Sequence, residues 1–327
     1  MEPKLAVLMP VFNGGELFRS SLESCASSGL DASQYEIIVV DNCSTDGCTD
    51  GLPRQDNAGA SIRVYRNAAN LGRVGNWNRA VEIAEALGFR WITFLFAGDQ
   101  WSPNGSLPHM LRAMEESGAV FGLTPYAMVE SGGRTLRFAQ RVSIPGQEMT
   151  LSSQAFLETM IRSGHLPLGP LQANLYALGC GARPVFDEAR PVDTDVTSTL
   201  TFLSSAPGTV LILRDGFLRW RHHPNRFFMS IPMAEMMRLM PSNVEHAGHL
   251  CGVPVDRNQT GAVNGILALV WIVKFAPRRD WPRHLKQLVR YFSSRPEKPR
   301  IRTIIELILR RTFLHRSLVH FDGTVKP

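Results

Sequence analysis

Short apolar runs and segments with a helical repeat alternate over roughly the first hundred residues. Apolar runs of about four to eight residues are typical of strands buried on both faces, and an apolar position every three or four residues is typical of a helix packed on a sheet. We therefore predict an α/β fold with a mainly parallel central sheet flanked by helices. The predicted strands are 5–12, 35–41, 61–67 and 90–96, and the predicted helices are 16–28 and 75–88.

The pattern is less regular in the following part of the chain. It predicts a helix over Leu107–Glu116, then strands within 119–131 and 134–140 that are joined at the hairpin dipeptide Gly132-Gly133. Residues 163–196 are rich in glycine and proline, and we expect them to form loops along a cleft.

The composition indicates a globular protein. The 327 residues are 44% hydrophobic, which is ample for the core of one large domain or two ordinary ones. The pattern becomes helical from about residue 227, which suggests a boundary there. The predicted organisation is a first domain over 1–226, with halves at about 1–103 and 104–226, and a mainly helical C-terminal region over 227–327.

Cysteine usage and the N-terminus favour a cytoplasmic protein. The five cysteines are odd in number and show no C-x-x-C spacing, so neither a disulfide framework nor a zinc site is indicated. The N-terminal apolar run of about eight residues is too short for a spanning helix, and no small-residue cleavage site follows it. A reducing compartment fits these features best.

The positive charge is concentrated in the C-terminal tail. Residues 271–327 contain 14 Lys/Arg and 4 Asp/Glu, a net +10, which leaves −4 for the rest. The apolar run in 264–277 predicts a buried helix, and 299–317 predicts a basic amphipathic helix. That helix suits the anionic inner face of the cell membrane, and it equally suits packing on the first domain or on another subunit of a homo-oligomer. No aromatic platform interleaves the charges, so we expect no nucleic-acid partner.

Polar side chains follow several of the predicted strands. Ligands of parallel α/β sheets bind beyond the carboxyl ends of the strands, where this sequence places Phe12-Asn13, Asp41-Asn42, Asn67–Gly72 and Asp99. The sequence has no G-x-G-x-x-G after a strand, no G-x-x-x-x-G-K-[ST] and no G-x-S-x-G. The chemistry is therefore expected to rest on carboxylates, amides and histidine.

Several segments, in their order and spacing, resemble the inverting family 2 glycosyltransferases of the GT-A fold. They are LAVLMPVFNGG, EIIVVDNCSTDGC, NLGRVGNWNRA, FLFAGDQWSP and VDTDV with FLRWRHHP, and the resemblance covers about residues 4–226. It implies a GT-A nucleotide-diphospho-sugar transferase fold, a nucleotide-sugar donor, and a glycan or lipid-linked acceptor. The basic tail favours a membrane-borne acceptor, as in surface polysaccharide assembly, by analogy.

The resemblance implies that Asp41 accepts a hydrogen bond from the base of the donor, with Pro10, Phe12 and Asn13 beside it. Two alternatives stay open, because Asp41 also suits a cap of its own turn and Phe12 also suits ordinary core. Asp46, deeper in that turn, is expected to be a cap.

The resemblance also places Asn70, Gly72, Asn76 and Arg79 near the base and the pyrophosphate. A helix N-terminus offers N–H groups to an anion, and Arg79 reaches a phosphate if it faces the cleft. A solvated helix face is the alternative for Arg79.

A divalent ion is a further implication of the resemblance. Asp99 and His223 are expected to bind Mn²⁺ or Mg²⁺ held by the donor diphosphate, since such ions often take only one or two ligands from protein. Phe96 and Gly98 stand where the family carries further acids, which departs from its pattern.

Asp193 is expected, again from the resemblance, to be the general base that deprotonates the acceptor hydroxyl, although Val192 replaces the usual glutamate before it. Asp195 points differently and is expected to be a helix-start acid. The resulting hypothesis is an inverting glycosyltransferase. A non-catalytic nucleotide-sugar-binding subunit and a nucleotidyltransferase are the alternatives.

Overall fold

The structure, a computed structural model, describes residues 4–293 except 104, 131–132, 140, 222–230 and 276–279. The strands are β1 Leu5–Val11, β2 Tyr35–Asp41, β3 Ile62–Arg66, β4 Trp91–Phe94, β5 Gln100–Trp101, β6 Phe121–Leu123, β7 Tyr126–Val129, β8 Thr135–Ala139, β9 Glu148–Ser152, β10 Asn174–Ala177, β11 Thr209–Leu213 and β12 Leu218–Arg221. The helices are α1 Gly15–Cys25, α2 Gly72–Ala86, α3 Leu107–Ser117, α4 Ser153–Ser163, α5 Thr194–Ser205, α6 Met233–Cys251, α7 Arg257–Phe275 and α8 Trp281–Ser293, and Leu171–Ala173 form a 3-10 turn.

The main sheet has eight strands in the order β3-β2-β1-β4-β10-β6-β11-β9. The first four are parallel neighbours, β6 and β11 run the same way, and β9 and β10 run the opposite way. Residues 5–9 of β1 are buried, because helices cover both faces of a parallel sheet, and this explains their continuous apolar run. The predicted α/β fold with a mainly parallel central sheet is confirmed.

The order in which successive strands are added to the sheet reverses at β1. The chain passes from β1 to β2 and β3 on one side and then crosses to β4 on the other side. Open α/β sheets bind ligands in the crevice outside the carboxyl ends of the strands at such a switch point. Leu8 of β1 lies opposite Phe94 of β4, so the segments that follow these strands leave the sheet side by side. The crevice at their exits is called the switch-point cleft below.

The expectation of loops throughout 163–196 is wrong, because Asn174–Ala177 form β10 in the middle of the main sheet. All of its residues are buried, and it pairs in antiparallel fashion with β4 and β6. A run of this length among glycines and prolines carries little local signal, so its place is determined by the strands on either side.

A second sheet, in the order β5-β12-β7-β8, packs beside the first. The apolar segment 119–131 is divided between the two sheets at Thr124-Pro125, where proline lacks a backbone N–H for strand pairing. The predicted hairpin is confirmed by the antiparallel pair β7 and β8, in which the N–H of Glu130 donates to the carbonyl of Arg134 at 3.0 Å. Gly132 itself lies outside the described residues.

Helices α6, α7 and α8 form the described part of the C-terminal region. The helix predicted at 264–277 is confirmed by α7 as far as residue 275, and within it Ile266 and Ala268 are buried. In the described ranges, no helix has both the length and the apolar character to cross a membrane. The amphipathic helix predicted at 299–317 and the boundary predicted at 226 lie outside those ranges.

Candidate active site

The exit of β1 carries an accessible aromatic side chain. Phe12 is 50% exposed, so the alternative that it is ordinary core is wrong. The side chain of Asn13, whose φ is +50°, accepts a hydrogen bond from the N–H of Thr45 at 2.8 Å, and its own N–H donates to Ser44 Oγ at 2.9 Å. Pro10 is half-buried in β1. The predicted residues of this exit therefore lie together, with the Phe12 ring accessible.

Asp41 ends β2 and is fully buried. One carboxylate oxygen accepts the N–H of Ser44 at 2.9 Å. The other accepts Thr49 Oγ1 at 3.0 Å and Arg66 Nη1 at 2.7 Å. These bonds hold the turn after β2, as the cap alternative expects. Contact of Asp41 with a base stays a prediction.

Asp46, in the same turn, caps the start of α1. Its carboxylate accepts the N–H of Gly15 at 2.9 Å and the N–H of Cys48 at 3.1 Å. Hydrogen bonding from Cys48 holds the pKa of Asp46 below its ordinary value. The predicted cap is confirmed, and it ties this turn to the loop that carries Phe12.

Asparagine side chains hold the start of α2 against the end of β2. Asn42 donates to Asn70 Oδ1 at 2.8 Å and to the carbonyl of Gly72 at 3.0 Å, and it accepts from Asn67 Nδ2 at 3.0 Å. Asn67 also donates to Asn76 Oδ1 at 2.9 Å, and Asn76 is buried. Asn70, Gly72 and Asn76 thus lie close together. Because Asn76 is buried, its role is to hold the loop before α2 in position.

Arg79 lies on a different face of α2 from Arg73. It follows Arg73 by six positions, which is about 240° around a helix. It is exposed and lies 3.6 Å from Glu82. Arg79 also borders an outer groove of about 330 Å³ between α2 and residues 183–188. Arg79 therefore lies on a solvated helix face, which is the alternative considered for it in the sequence analysis.

Asp99 is fully buried behind the exit of β4. One oxygen accepts Gln172 Nε2 at 2.5 Å, and the other accepts the N–H of Arg221 at 3.0 Å. His223, its predicted partner, falls outside the described residues. Among the side chains that the structure describes, no group of three His, Cys, Asp or Glu could hold an ion. A fully buried carboxylate whose two oxygens both accept hydrogen bonds does not favour a divalent ion, so we assign no step to one, and ion binding by Asp99 with His223 stays a prediction.

A stack that the sequence analysis missed lies beside the exit of β4. Trp77 of α2 stacks on Phe96, with ring centroids 4.9 Å apart and planes 14° apart. The guanidinium carbon of Arg73 lies 4.5 Å from the centroid of the Trp77 ring, and Arg73 also donates to the carbonyl of Pro191. Arg73 and Trp77 are four residues apart, so they lie on the same face of α2. This spacing is the feature of the sequence that could have predicted their contact.

The two candidate bases at the start of α5 have different partners. Asp193, the residue before the helix, accepts Arg190 Nη2 at 2.6 Å, and the same nitrogen donates to Asn243 Oδ1 of α6 at 2.9 Å. Asp195 is half-buried in the first turn and interacts electrostatically with Arg73 of α2. Asp193 is thus linked through Arg190 to α6, whereas Asp195 is influenced by Arg73 of α2.

The environment of Asp195 suits a general base. Burial raises the pKa of its carboxyl, while the N–H of Val196 at 2.9 Å and the charge of Arg73 act in the opposite direction. A carboxylate with a raised pKa is a stronger base toward a hydroxyl proton. The geometry therefore favours Asp195, and the assignment of the base to Asp193 stays a prediction.

The carboxylate of Asp195 lies against the backbone of Gly169, where an added Cβ would meet its Oδ2 at 2.8 Å. We expect Gly169→Ala to displace the carboxylate and to lower kcat about 10-fold or more, because small displacements of reacting groups are costly in rate. Steady-state kinetics with the donor measures this, and the affinity for the donor should stay unchanged. Gly146→Ala, with its nearest contact at 3.5 Å, is the control. An unchanged kcat in Gly169→Ala would contradict the placement of the base.

A mixed sheet with a switch-point cleft, joined to a smaller second sheet, defines an α/β protein of the GT-A type. The S. aureus TarS 1–349 structure in complex with UDP-GlcNAc has this fold, with a TM-score of 0.57 and 15% identity over 95% of this chain and 86% of that chain. The model of the family described as Glycosyl transferase family 2 matches residues 6–169, half of the chain. The chain belongs to glycosyl transferase family 2.

Two curated relatives match part of the chain. TuaG of Bacillus subtilis, whose name places it provisionally in teichuronic acid biosynthesis as a glycosyltransferase, is 31% identical over 137 residues, 41% of this chain and 51% of TuaG. A poly(ribitol-phosphate) beta-glucosyltransferase of Bacillus spizizenii is 30% identical over 97 residues, 29% of this chain and 15% of that protein. The match thus spans about half the length of TuaG and a smaller share of the second relative.

Proposed function

We propose that the protein transfers a sugar from a nucleotide-diphosphate donor to a hydroxyl group of a glycan or lipid-linked acceptor. The observation that supports the proposal is that a family 2 chain has an accessible Phe12 ring at the exit of β1 and a half-buried Asp195 carboxylate in the first turn of α5. An aromatic face suits the base of a nucleotide, and a half-buried carboxylate suits the removal of a hydroxyl proton.

In the proposed reaction Asp195 takes the proton of the acceptor hydroxyl. The acceptor oxygen forms a bond to the anomeric carbon of the sugar, on the face opposite the diphosphate. The bond between that carbon and the phosphate oxygen breaks, and its electron pair leaves with the nucleoside diphosphate. This single displacement inverts the configuration at the anomeric carbon.

The names of the similar proteins support a cell-surface product. TuaG is named for teichuronic acid, the Bacillus spizizenii relative for poly(ribitol-phosphate), and TarS was solved with UDP-GlcNAc. We therefore propose a UDP-sugar as the donor class and a surface polymer, or its lipid-linked precursor, as the acceptor class. A requirement for Mn²⁺ or Mg²⁺, membrane contact through the C-terminal tail and a homo-oligomer stay predictions.

A screen of UDP-, GDP- and dTDP-sugars tests the proposal. We expect one donor to release its nucleoside diphosphate slowly with water and faster with an acceptor glycan, because the acceptor hydroxyl is the better placed nucleophile. Coupled detection of the released nucleotide measures the rate, and NMR of the product shows whether the anomeric centre inverts. Donor binding without release would instead indicate a non-catalytic binding subunit. Pyrophosphate release from a nucleoside triphosphate and a sugar phosphate would indicate a nucleotidyltransferase.

A further inference from the structure

Among the residues that the structure describes, the exit of β4 offers few side-chain oxygens to a divalent ion. Phe96 and Gly98 occupy positions without side-chain oxygens, and both oxygens of the buried Asp99 accept hydrogen bonds from Gln172 and Arg221. The negative charge that develops on a leaving diphosphate nevertheless has to be stabilised where it forms. A positively charged side chain of the protein, held at the same place, can supply this stabilisation.

Arg73 is a positively charged side chain near the exit of β4. It is the second residue of α2, and the first turn of α2 contains no acidic residue. Its guanidinium lies 4.5 Å from the Trp77 ring centroid, and Trp77 stacks on Phe96 directly after β4. The aromatic ring that replaces an acid at the strand exit therefore helps to hold a cation beside the switch-point cleft.

The charge of Arg73 also fits this role. Burial lowers the pKa of its guanidinium and the nearby Asp195 raises it, and an arginine remains protonated at neutral pH in either case. A partly desolvated cation interacts more strongly with an anion than one in bulk water. Its planar fork of N–H groups matches two oxygens of a diphosphate.

Other arginines near the cleft are held in different environments. Arg66 pairs with Asp41 at 2.7 Å in the turn after β2. Arg141 is only 5% exposed and donates to the carbonyl of Pro167 at 2.9 Å. Arg79 lies on the outer face of α2 beside Glu82. Arg73 alone among these four lies over Trp77 beside the exit of β4, and it also interacts electrostatically with Asp195.

We propose that the guanidinium of Arg73 binds the diphosphate of the donor and stabilises it as it leaves, so that transfer proceeds without a divalent ion. This inference rests on the proposed function and adds a residue to the same site. The bond between the anomeric carbon and the phosphate oxygen breaks as described above, and the electron pair comes to rest on oxygens that Arg73 contacts.

Nucleotide binding in EDTA tests the contact. Isothermal titration with UDP and with uridine compares the wild type with Arg73→Gln, Arg73→Lys and the control Arg79→Gln. We expect Arg73→Gln to weaken UDP binding about 10- to 100-fold, because it removes charge-assisted hydrogen bonds to phosphate. Arg73→Lys should weaken it less, since lysine keeps the charge. Uridine binding should not change, whereas a merely structural role would weaken both ligands. GDP and dTDP with their nucleosides are titrated in the same way.

Turnover with and without metal tests the rest of the proposal. We expect the wild type to transfer sugar in EDTA within about 2-fold of its rate in Mn²⁺, and Arg73→Gln to lose about 10²- to 10³-fold in kcat. Transfer that EDTA abolishes and Mn²⁺ restores would overturn the proposal, as would equal UDP affinity in the wild type and Arg73→Gln. Arg73-dependent UDP binding with no turnover contradicts only the transferase. Failure to bind any nucleoside diphosphate overturns both.

Discussion

Asp195→Asn should lower the rate of sugar transfer by about 10²- to 10⁴-fold, the usual contribution of a positioned general base. Asparagine keeps the shape of the side chain and can still accept the N–H of Val196, which now lies at 2.9 Å from Asp195 Oδ1. It cannot take a proton from the acceptor hydroxyl. Steady-state kinetics should therefore show a reduced kcat, while calorimetry with the nucleoside diphosphate shows unchanged binding.

The same substitution should leave the fold intact and raise its stability near neutral pH. Burial raises the pKa of Asp195 from its ordinary value of 3.8, so the charged form is disfavoured in the folded protein. The contribution of such an acid to stability is fully present below its unfolded pKa and is lost as the pH rises through the higher folded pKa. The melting temperature of Asp195→Asn, measured relative to that of the wild type, should thus rise from acid to neutral pH. Activity of the wild type should fall as the pH drops through the same folded pKa.

Asp193→Asn is the matched comparison, two residues away. We expect it to keep transfer within about 5-fold of the wild type and to lower the free energy of unfolding by about 1–3 kcal/mol, because it removes the 2.6 Å ion pair with Arg190. Loss of transfer in Asp193→Asn together with normal transfer in Asp195→Asn would return the role of base to Asp193.

Local pattern was sufficient for the parallel half of the sheet. The strands β1, β2 and β4 are buried on both faces, so each one is written in the sequence as a continuous apolar run, and glycines and polar turns separate them from the helices. β10 could not be found in this way. Its four residues are held by pairing with β4 and β6, which lie far away in the chain.

The candidate site was predictable only where strand exits define it. Phe12 and Asn13 follow from the rule that ligands bind beyond the carboxyl ends of parallel strands. The choice between Asp193 and Asp195 depends on Asn243 of α6 and on Arg73 of α2, which no local motif relates to them. Resemblance supplied the segment that contains both candidate bases, and only the packing of distant helices distinguishes the two carboxylates.

Asp41→Asn should lower the free energy of unfolding by about 2–3 kcal/mol, the loss expected for charge-assisted hydrogen bonds in a buried site. Asp41 is fully buried and accepts from the N–H of Ser44, the hydroxyl of Thr49 and the guanidinium of Arg66. Asparagine has one acceptor oxygen and an NH₂ donor, so it cannot satisfy all of these donors. Chemical denaturation followed by fluorescence measures the loss.

Asp50→Asn is the control for Asp41→Asn, because Asp50 is an exposed carboxylate of the same turn region and its substitution should change the free energy of unfolding by less than about 0.5 kcal/mol.

The two variants also distinguish the two roles considered for Asp41, a cap of the turn and an acceptor from the base. A side chain that only holds the turn should lose stability on substitution, and its effect on UDP affinity should shrink when stabilising solutes such as sucrose restore the fold. A side chain that accepts from the base should lose UDP affinity at normal stability. The three hydrogen bonds from Ser44, Thr49 and Arg66 favour the first result, since they already engage both oxygens of this buried carboxylate.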